Sequence, residues 1–135
     1  MAFQFSTAAR NASLDAIETT IGASPILRIR SGAAPADCAA ARSGTVLASM
    51  TLPADFMAAA SGGSKALSGI WQDAEADAAG TAGHFEIVDS TGTTCHIQGT
   101  VTGTGGGGDM EIENTSIQPG QQITVTAFTI TAGGA

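Results

Sequence analysis

The spacing of apolar residues predicts one helix, near the amino terminus. These positions recur at intervals of three and four residues and are Leu14, Ile17 and Ile21. Such spacing places them on one helix face, and the alanines among them favour helix. Ser6 or Thr7 is a suitable N-cap. Gly22, with Pro25 beyond it, predicts the end of the helix.

Beyond Pro25 the pattern changes to short strand-like runs separated by Gly, Pro, Ser, Asn and Asp. The seven candidate strands are residues 25–32, 45–52, 66–76, 84–89, 94–103, 109–115 and 122–131. No helical pattern alternates with them, so we expect a mostly β fold rather than a parallel sheet with crossover helices. Their number and spacing predict an antiparallel β-sandwich or jelly roll of about seven or eight short strands, with one N-terminal α-helix.

Alternation assigns faces within these runs. In the first strand Arg28 and Arg30 share one face, and Leu27 and Ile29 share the other. The last run, 122–131, is long, uncharged and free of Pro, which would promote aggregation if it were exposed. We therefore predict that it is central in a sheet or paired across a dimer interface.

The length of 135 residues fits a single domain. We divide it into an arm and helix over 1–22 and a β-sandwich over 25–131. A chain of this length buries about two thirds of its extended surface on folding, so a stable core needs no crosslink. With one Trp and no Tyr, we expect that core to be aliphatic and rich in small residues.

The charge is unevenly distributed. The first 65 residues hold five basic and four acidic side chains, a net +1, whereas the remainder holds eight acidic and no basic ones, a net −8. This layout argues against nucleic acid as a partner, and it leaves anionic membranes without a polybasic contact. Two interpretations stay open: acids that maintain solubility, or an acidic face that meets a basic neighbour.

The two cysteines, Cys38 and Cys95, lie far apart and form no CxxC motif. We expect free thiols in a protein made in a reducing cytoplasm, with a single disulfide as the alternative. The amino terminus lacks the pattern of a signal peptide, and no run approaches the roughly 20 apolar residues of a membrane span.

The stretch HFEIVDSTGTTCHIQGTVTG, residues 84–103, concentrates groups that could bind a metal. Alternation places His84 and Glu86 together on the polar side, whereas Cys95 and His96 point to opposite faces. Zinc needs about four converging ligands, which this hairpin does not supply. We interpret it as a structural hairpin with outward polar residues and a buried Cys95, and we assign no metal ligand.

Two acidic runs raise the question of calcium binding or acid–base catalysis. They are Asp73, Glu75 and Asp77, and Asp109, Glu111 and Glu113. Neither has the turn and carbonyl pattern of a calcium loop, so we interpret both as solvated strand faces. The glycine-rich 103–108 stretch lacks the GK[ST] ending of a phosphate-binding loop and predicts a hairpin loop. No GxSxG motif is present. We assign no catalytic residue and no cofactor, and we expect a protein that is not an enzyme.

Several stretches together resemble a group of small virion proteins of tailed bacteriophages. They are STAARNASLDAIETTIG, LRIRSG, TVLASMTLP, GTAGHFEIVDSTGTTCHIQGTVT and NTSIQPGQQITVTAFTIT. The group is similar to capsid cement, or decoration, proteins. The resemblance implies a jelly-roll subunit that is made in the host bacterial cytoplasm, binds the exterior of the assembled head and clamps neighbouring subunits of the major capsid protein. It also implies self-association into a homodimer or higher homo-oligomer. A tail or tail-fibre adaptor is the alternative.

Five residues are candidates for partner contact, and they are Phe3, Phe5, Arg28, Arg30 and Arg42. The two phenylalanines precede the helix outside its apolar stripe, so they pack either on a neighbouring subunit or on the protein's own sandwich. The arginines flank or belong to the 33–44 segment, which also holds Cys38. We consider this segment either a partner contact or a disordered surface loop.

Overall fold

The computed structural model describes residues 3–133 and begins with one helix, α1, over Thr7–Ile21. The Ser6 hydroxyl accepts a hydrogen bond from the Ala9 amide at 3.1 Å and caps the first turn. Gly22, with φ of +89°, ends the helix. The predicted helix and its cap are confirmed. Its predicted apolar face is only partly buried, because Ile17 remains 37% exposed.

Nine strands follow the helix within residues 3–133. They are β1 (Ile26–Ser31), β2 (Val46–Thr51), β3 (Ser64–Ala66), β4 (Gln72–Asp73), β5 (Gly80–Val88), β6 (Cys95–Gly103), β7 (Met110–Ile112), β8 (Ser116–Ile117) and β9 (Ile123–Thr131). The predicted class, mostly β with one N-terminal helix, is confirmed, and the strands form a curled, sandwich-like sheet.

The strand order along the sheet is β2-β1-β5-β6-β7-β9-β3, with β4 paired to β9 and β8 paired to β5. β4 and the segment after it join β2 to the β9 side of the sheet, since Asp73 Oδ2 of β4 accepts a hydrogen bond from the Ser49 amide of β2 at 3.0 Å. The Asp77 amide also donates to the Leu47 carbonyl at 2.8 Å. These bonds curl the sheet around its apolar interior.

One strand pair departs from the antiparallel prediction. β6 and β7 are parallel, with Val101 opposite Met110 and Gly103 opposite Ile112. The glycine-rich stretch between them is therefore not the hairpin loop that we expected. Its backbone reverses twice, and Gly105 and Gly107 adopt positive φ angles of 84° and 79°, which glycine accommodates without steric cost.

Two predicted strands are shorter than expected. The 66–76 run contains only the end of β3 and the two residues of β4, because the chain turns at Gly69, where φ is +75°. The 109–115 run is strand only over β7.

The core contains more aromatic surface than composition indicated. Trp71 is fully buried, and its indole N–H donates to the Phe56 carbonyl at 3.1 Å. The ring centroids of Trp71 and Phe128 lie 5.5 Å apart, and those of Phe85 and Phe128 lie 5.4 Å apart in an edge-to-face arrangement. Four of the six aromatic side chains thus form a contiguous centre, which contributes more than area burial alone.

The terminal strand β9 is central, as predicted, with β7 on one side and β3 and β4 on the other. Burial alternates along β9 only at the start, where Ile123 and Val125 are buried. A register shift in the pairing with Glu111 and Ile112 of β7 then changes which residues of β9 face the core. Phe128 consequently enters the core, and Ala127 is exposed.

Polar contacts fasten α1 to the segment before and within β3. Lys65, only 2% exposed, donates to Asp15 and Glu18, each at 2.7 Å. The Gly63 amide donates to Asn11 Oδ1 at 2.9 Å. Within residues 3–133, no helix is long and apolar enough to cross a membrane.

Candidate functional site

The main polar cluster of the molecule is built around Glu86, in the middle of β5. This strand lies between β1 and β6, and the backbone register places Arg28 opposite Glu86 on one side and Gln98 opposite it on the other. Three neighbouring strands thus place an arginine, a carboxylate and an amide in one row. The Glu86 side chain has no exposure to solvent.

Three arginines neutralise this buried carboxylate. Arg30 donates to Glu86 Oε1 through both Nε and Nη2, each at 3.2 Å. Arg28 Nη1 lies 3.4 Å from the same oxygen, and Arg42 Nη1 lies 3.2 Å from Oε2. The arginine side chains are 25%, 13% and 20% exposed for residues 28, 30 and 42. We call these four residues the arginine cluster; it has a net charge of +2.

Arg42 also organises the loop that carries it. Its Nη2 donates to the carbonyls of Asp37, Cys38 and Ala40 at 2.7, 3.2 and 2.9 Å. Its Nη1 reaches Gln98 Oε1 at 3.1 Å as well as Glu86. The 33–44 segment, which we call the arginine loop, is thereby folded onto the β5–β6 surface.

The expectation that His84 and Glu86 point outward is wrong. Both side chains are fully buried, since the arginine side chains contact Glu86 and the Gly32 carbonyl contacts His84 on the face that alternation assigned to solvent. His84 Nδ1 lies 2.9 Å from the Gly32 carbonyl oxygen. Its Nε2 is buried without a hydrogen-bond partner.

The two cysteines meet beside the arginine cluster. Both are free thiols, as predicted, and Cys95 Sγ lies 2.8 Å from Cys38 Sγ. Cys95 is partly rather than fully buried. Burial and the hydrogen bond with Cys38 raise the pKa of the Cys95 thiol to about 12, although Arg42, 3.6 Å away, acts in the opposite direction.

The acidic runs serve loop structure rather than forming open ladders. Asp109 Oδ2 accepts from the amide and hydroxyl of Thr100 at 2.9 and 3.0 Å. Glu111 accepts from the amides of Gly105 and Gly107 at 3.1 and 3.2 Å. Asp73 Oδ1 similarly accepts from the Glu75 amide at 3.0 Å. Between residues 3 and 133, no three His, Cys, Asp or Glu side chains are grouped in a way that could hold a metal ion.

The phenylalanine arm, Phe3 and Phe5, is largely exposed on the surface of the chain. Phe3 is 88% exposed and Phe5 is 56% exposed. Phe5 borders a groove between the start of α1 and the end of β9, lined also by Ala9, Arg10 and Ala132. The structure therefore separates the five candidate contact residues into an exposed aromatic arm and a paired arginine cluster.

Sequence reasoning identified the three arginines but missed the carboxylate that pairs with them and the proximity of the two thiols. One local signal was present: Glu86 lies between Phe85 and Ile87, inside an apolar run of the strand. Sequence reasoning also missed that Lys65 is buried and paired with Asp15 and Glu18. Burial by itself lowers the Lys65 pKa, but the hydrogen bonds with Asp15 and Glu18 outweigh burial and raise the pKa above its ordinary value.

Comparison with known proteins found no matching family model, no matching curated protein and no matching solved structure.

Proposed function

We propose that this chain is a structural virion protein of a tailed bacteriophage, a capsid cement protein that binds the outside of the assembled head. The observation that carries the proposal is the phenylalanine arm. Two aromatic side chains, Phe3 and Phe5, are exposed within one three-residue segment, although four others are packed in the core. Exposed aromatic groups of this kind are typical anchors for protein partners.

The charge distribution supports a basic or neutral partner surface. Four of the five basic side chains are used inside the fold, three by Glu86 and one by Asp15 and Glu18. Seven of the eight acids beyond residue 65 have no ion pair among the described salt bridges. The surface is consequently acidic, and electrostatic complementarity selects partners of the opposite charge.

The sequence resemblance to capsid cement proteins supplies the particular class. In this role, the protein binds subunits only in their assembled arrangement, so each bound copy stabilises the shell by its differential binding free energy. Many copies add their effects, and an interface of modest area per copy is sufficient. The phenylalanine arm would anchor each copy on a neighbouring major capsid protein or on another copy of this chain.

The test is the copy number of the chain in purified phage particles, measured by mass spectrometry against the major capsid protein. We expect a ratio near one, or a simple fraction of it. A few copies per particle would instead support the tail or tail-fibre adaptor. No copies in the particle would overturn both structural assignments.

A second experiment tests the arm itself. Particles that lack the protein are incubated with wild-type chain or with the double variant Phe3→Ser and Phe5→Ser, and bound protein is quantified after sedimentation. We expect at least about tenfold weaker binding for the double variant, because anchoring aromatics contribute several kcal/mol. Ile70→Ser is the matched control, since Ile70 is 73% exposed elsewhere on the surface. Equal binding by all three proteins would contradict a role for the arm.

A further inference from the structure

The Cys38 and Cys95 thiols are held together by elements far apart in sequence. Cys38 lies in the arginine loop, and Cys95 is the first residue of β6. Arg42 fixes the loop side of the pair through the Cys38 carbonyl at 3.2 Å and contacts the other side at Cys95 Sγ, 3.6 Å away. The sulfur atoms, 2.8 Å apart, need to approach by only about 0.8 Å to reach the ~2.05 Å of a disulfide bond.

We propose that Cys38 and Cys95 form an oxidation site at which small-molecule disulfides introduce an intramolecular disulfide that fixes the arginine loop to β6. The site does not depend on the proposed function. It adds a covalent bond to a contact that is held otherwise by Arg42 and by the hydrogen bond from Gln98 Nε2 to the Pro35 carbonyl at 2.8 Å.

The reaction is two successive thiol–disulfide exchanges. The thiolate of one cysteine attacks a sulfur of the small disulfide, which breaks the S–S bond and releases one thiolate. The neighbouring cysteine, as its thiolate, then attacks the protein sulfur of the mixed disulfide and releases the second. The two protons lost by the cysteines pass to the released thiolates. The small disulfide is reduced by two electrons to two thiols, and the cysteine pair is oxidised.

Proximity favours the second exchange over competing reactions. The fold supplies the second thiol at a high effective concentration, so ring closure proceeds faster than attack by a thiol of another molecule. Burial and the Cys38 hydrogen bond raise the pKa of the Cys95 thiol and disfavour its thiolate despite Arg42, so closure depends on the 2.8 Å proximity of the two sulfur atoms. We therefore expect closure to give a monomeric crosslinked chain rather than a mixed disulfide or a disulfide-linked dimer.

The first test incubates the full-length native protein with mixtures of oxidised and reduced glutathione. After remaining thiols are alkylated, intact mass and peptide mapping identify the products. We expect the loss of two hydrogen atoms per chain and one linked peptide that joins residues 38 and 95. Cys38→Ser and Cys95→Ser are the controls, with the Ala variants as a second pair, and they should form no internal crosslink. Persistent free thiols, glutathione adducts alone or disulfide-linked dimers would refute the oxidation site.

The second test addresses the arginine loop. Hydrogen exchange is compared between the reduced and oxidised forms, and we expect amides in residues 33–44 to exchange at least about tenfold more slowly after oxidation. The disulfide closes a long segment, since the cysteines are 57 positions apart. The melting temperature should therefore rise by on the order of 10 °C. A crosslinked protein with unchanged exchange over 33–44 would show that the bond does not fix the loop.

Discussion

A carboxylate with no solvent exposure needs compensation for the hydration that it loses, and Glu86 receives it from three guanidinium groups. Such a buried pairing is weak evidence of net stabilisation, because the desolvation of all the charges opposes their attraction. Removing one partner has a clearer consequence. It leaves the remaining charges without compensation in a region of low dielectric constant.

We therefore predict that Glu86→Gln lowers the free energy of unfolding by about 2 to 3 kcal/mol. The substitution keeps the shape of the side chain but leaves Arg28, Arg30 and Arg42 without their counterion, and their partial exposure moderates the loss. Urea unfolding measures the change. Glu113→Gln, at an exposed carboxylate, is the matched control and should change stability by less than about 0.5 kcal/mol. Equal effects of both substitutions would show that the arginine cluster does not depend on the Glu86 charge.

A second prediction at this scale concerns Asp89, which closes the turn between β5 and β6. Hydrogen bonds from the Thr93 amide and the Thr91 hydroxyl to its carboxylate lower the Asp89 pKa from 3.8 to about 2. A carboxyl whose pKa is lower in the folded state stabilises the protein above pH 3.8, and this stabilisation is lost as the pH falls towards 2.

Melting temperatures of the wild type and Asp89→Asn, recorded between about pH 5 and pH 2, test this prediction. We expect the wild type to be the more stable protein at pH 5, and the difference should shrink as the pH approaches 2. Asp55→Asn, which removes one charge from an exposed side chain, controls for net charge. A difference between wild type and Asp89→Asn that is the same throughout this range would contradict the assigned linkage.

At the scale of elements, the alternation of apolar and polar residues predicted side-chain burial correctly where one strand face is buried and the other is solvated. In β1, Leu27 and Ile29 are buried and the arginines lie on the opposite face, as predicted. The same rule failed for β5, where five consecutive residues from His84 to Val88 are buried. Which strands flank β5, and in which register, depends on contacts 56 to 58 positions away. Alternation within one run contains no such information.

The same limit applies to the candidate site. The sequence shows three arginines and two cysteines but not that Arg42 folds its own loop back onto Glu86. That contact depends on the return of the chain at Gly44, two residues before β2. Arg42 thereby holds a segment whose composition is typical of a surface loop against β5 and β6.

Gly44 permits this return in a way that no other residue would. Its φ is +74°, and a Cβ atom there would lie 2.0 Å from the Ser31 carbonyl oxygen. We predict that Gly44→Ala destabilises the protein by about 2 kcal/mol more than Gly107→Ala, because only the former adds a backbone clash to the strain of a positive φ. Gly107 is matched in backbone, with φ of +79°, and has open space around it.

Chemical denaturation of both variants measures the difference, and hydrogen exchange in residues 33–44 locates it. We expect faster exchange of the arginine loop in Gly44→Ala alone, since Arg30 Nη1 also donates to the Gly44 carbonyl at 3.3 Å. Equal losses of stability in the two variants would show that the turn adapts without strain.

At the scale of the whole molecule, the sheet and the helix are held by different forces. The sheet surrounds a continuous apolar core that includes Trp71 and Phe128. The helix buries only Leu14 and Ile21 of its described residues. It is also attached through polar contacts: Asp15 accepts from the Ala60 amide at 3.0 Å, Glu18 from the Met57 amide at 3.3 Å, and both from Lys65. Segments with few buried apolar contacts open at lower free energy than the core does.

Native-state hydrogen exchange should therefore resolve two levels of stability. We predict the slowest exchange in the paired amides of β9, over Ile123–Thr131, and faster exchange in α1, over Thr7–Ile21. Lys65→Met, which removes the cation between Asp15 and Glu18, should accelerate exchange in α1 by at least about tenfold and leave β9 little changed. Ser64→Ala is the neighbouring control, since it removes only an exposed hydroxyl contact with Thr131. If Lys65→Met accelerated exchange in α1 and β9 equally, the helix and the sheet would form one cooperative unit. Rapid exchange throughout β9 in the wild type would contradict the central position of that strand.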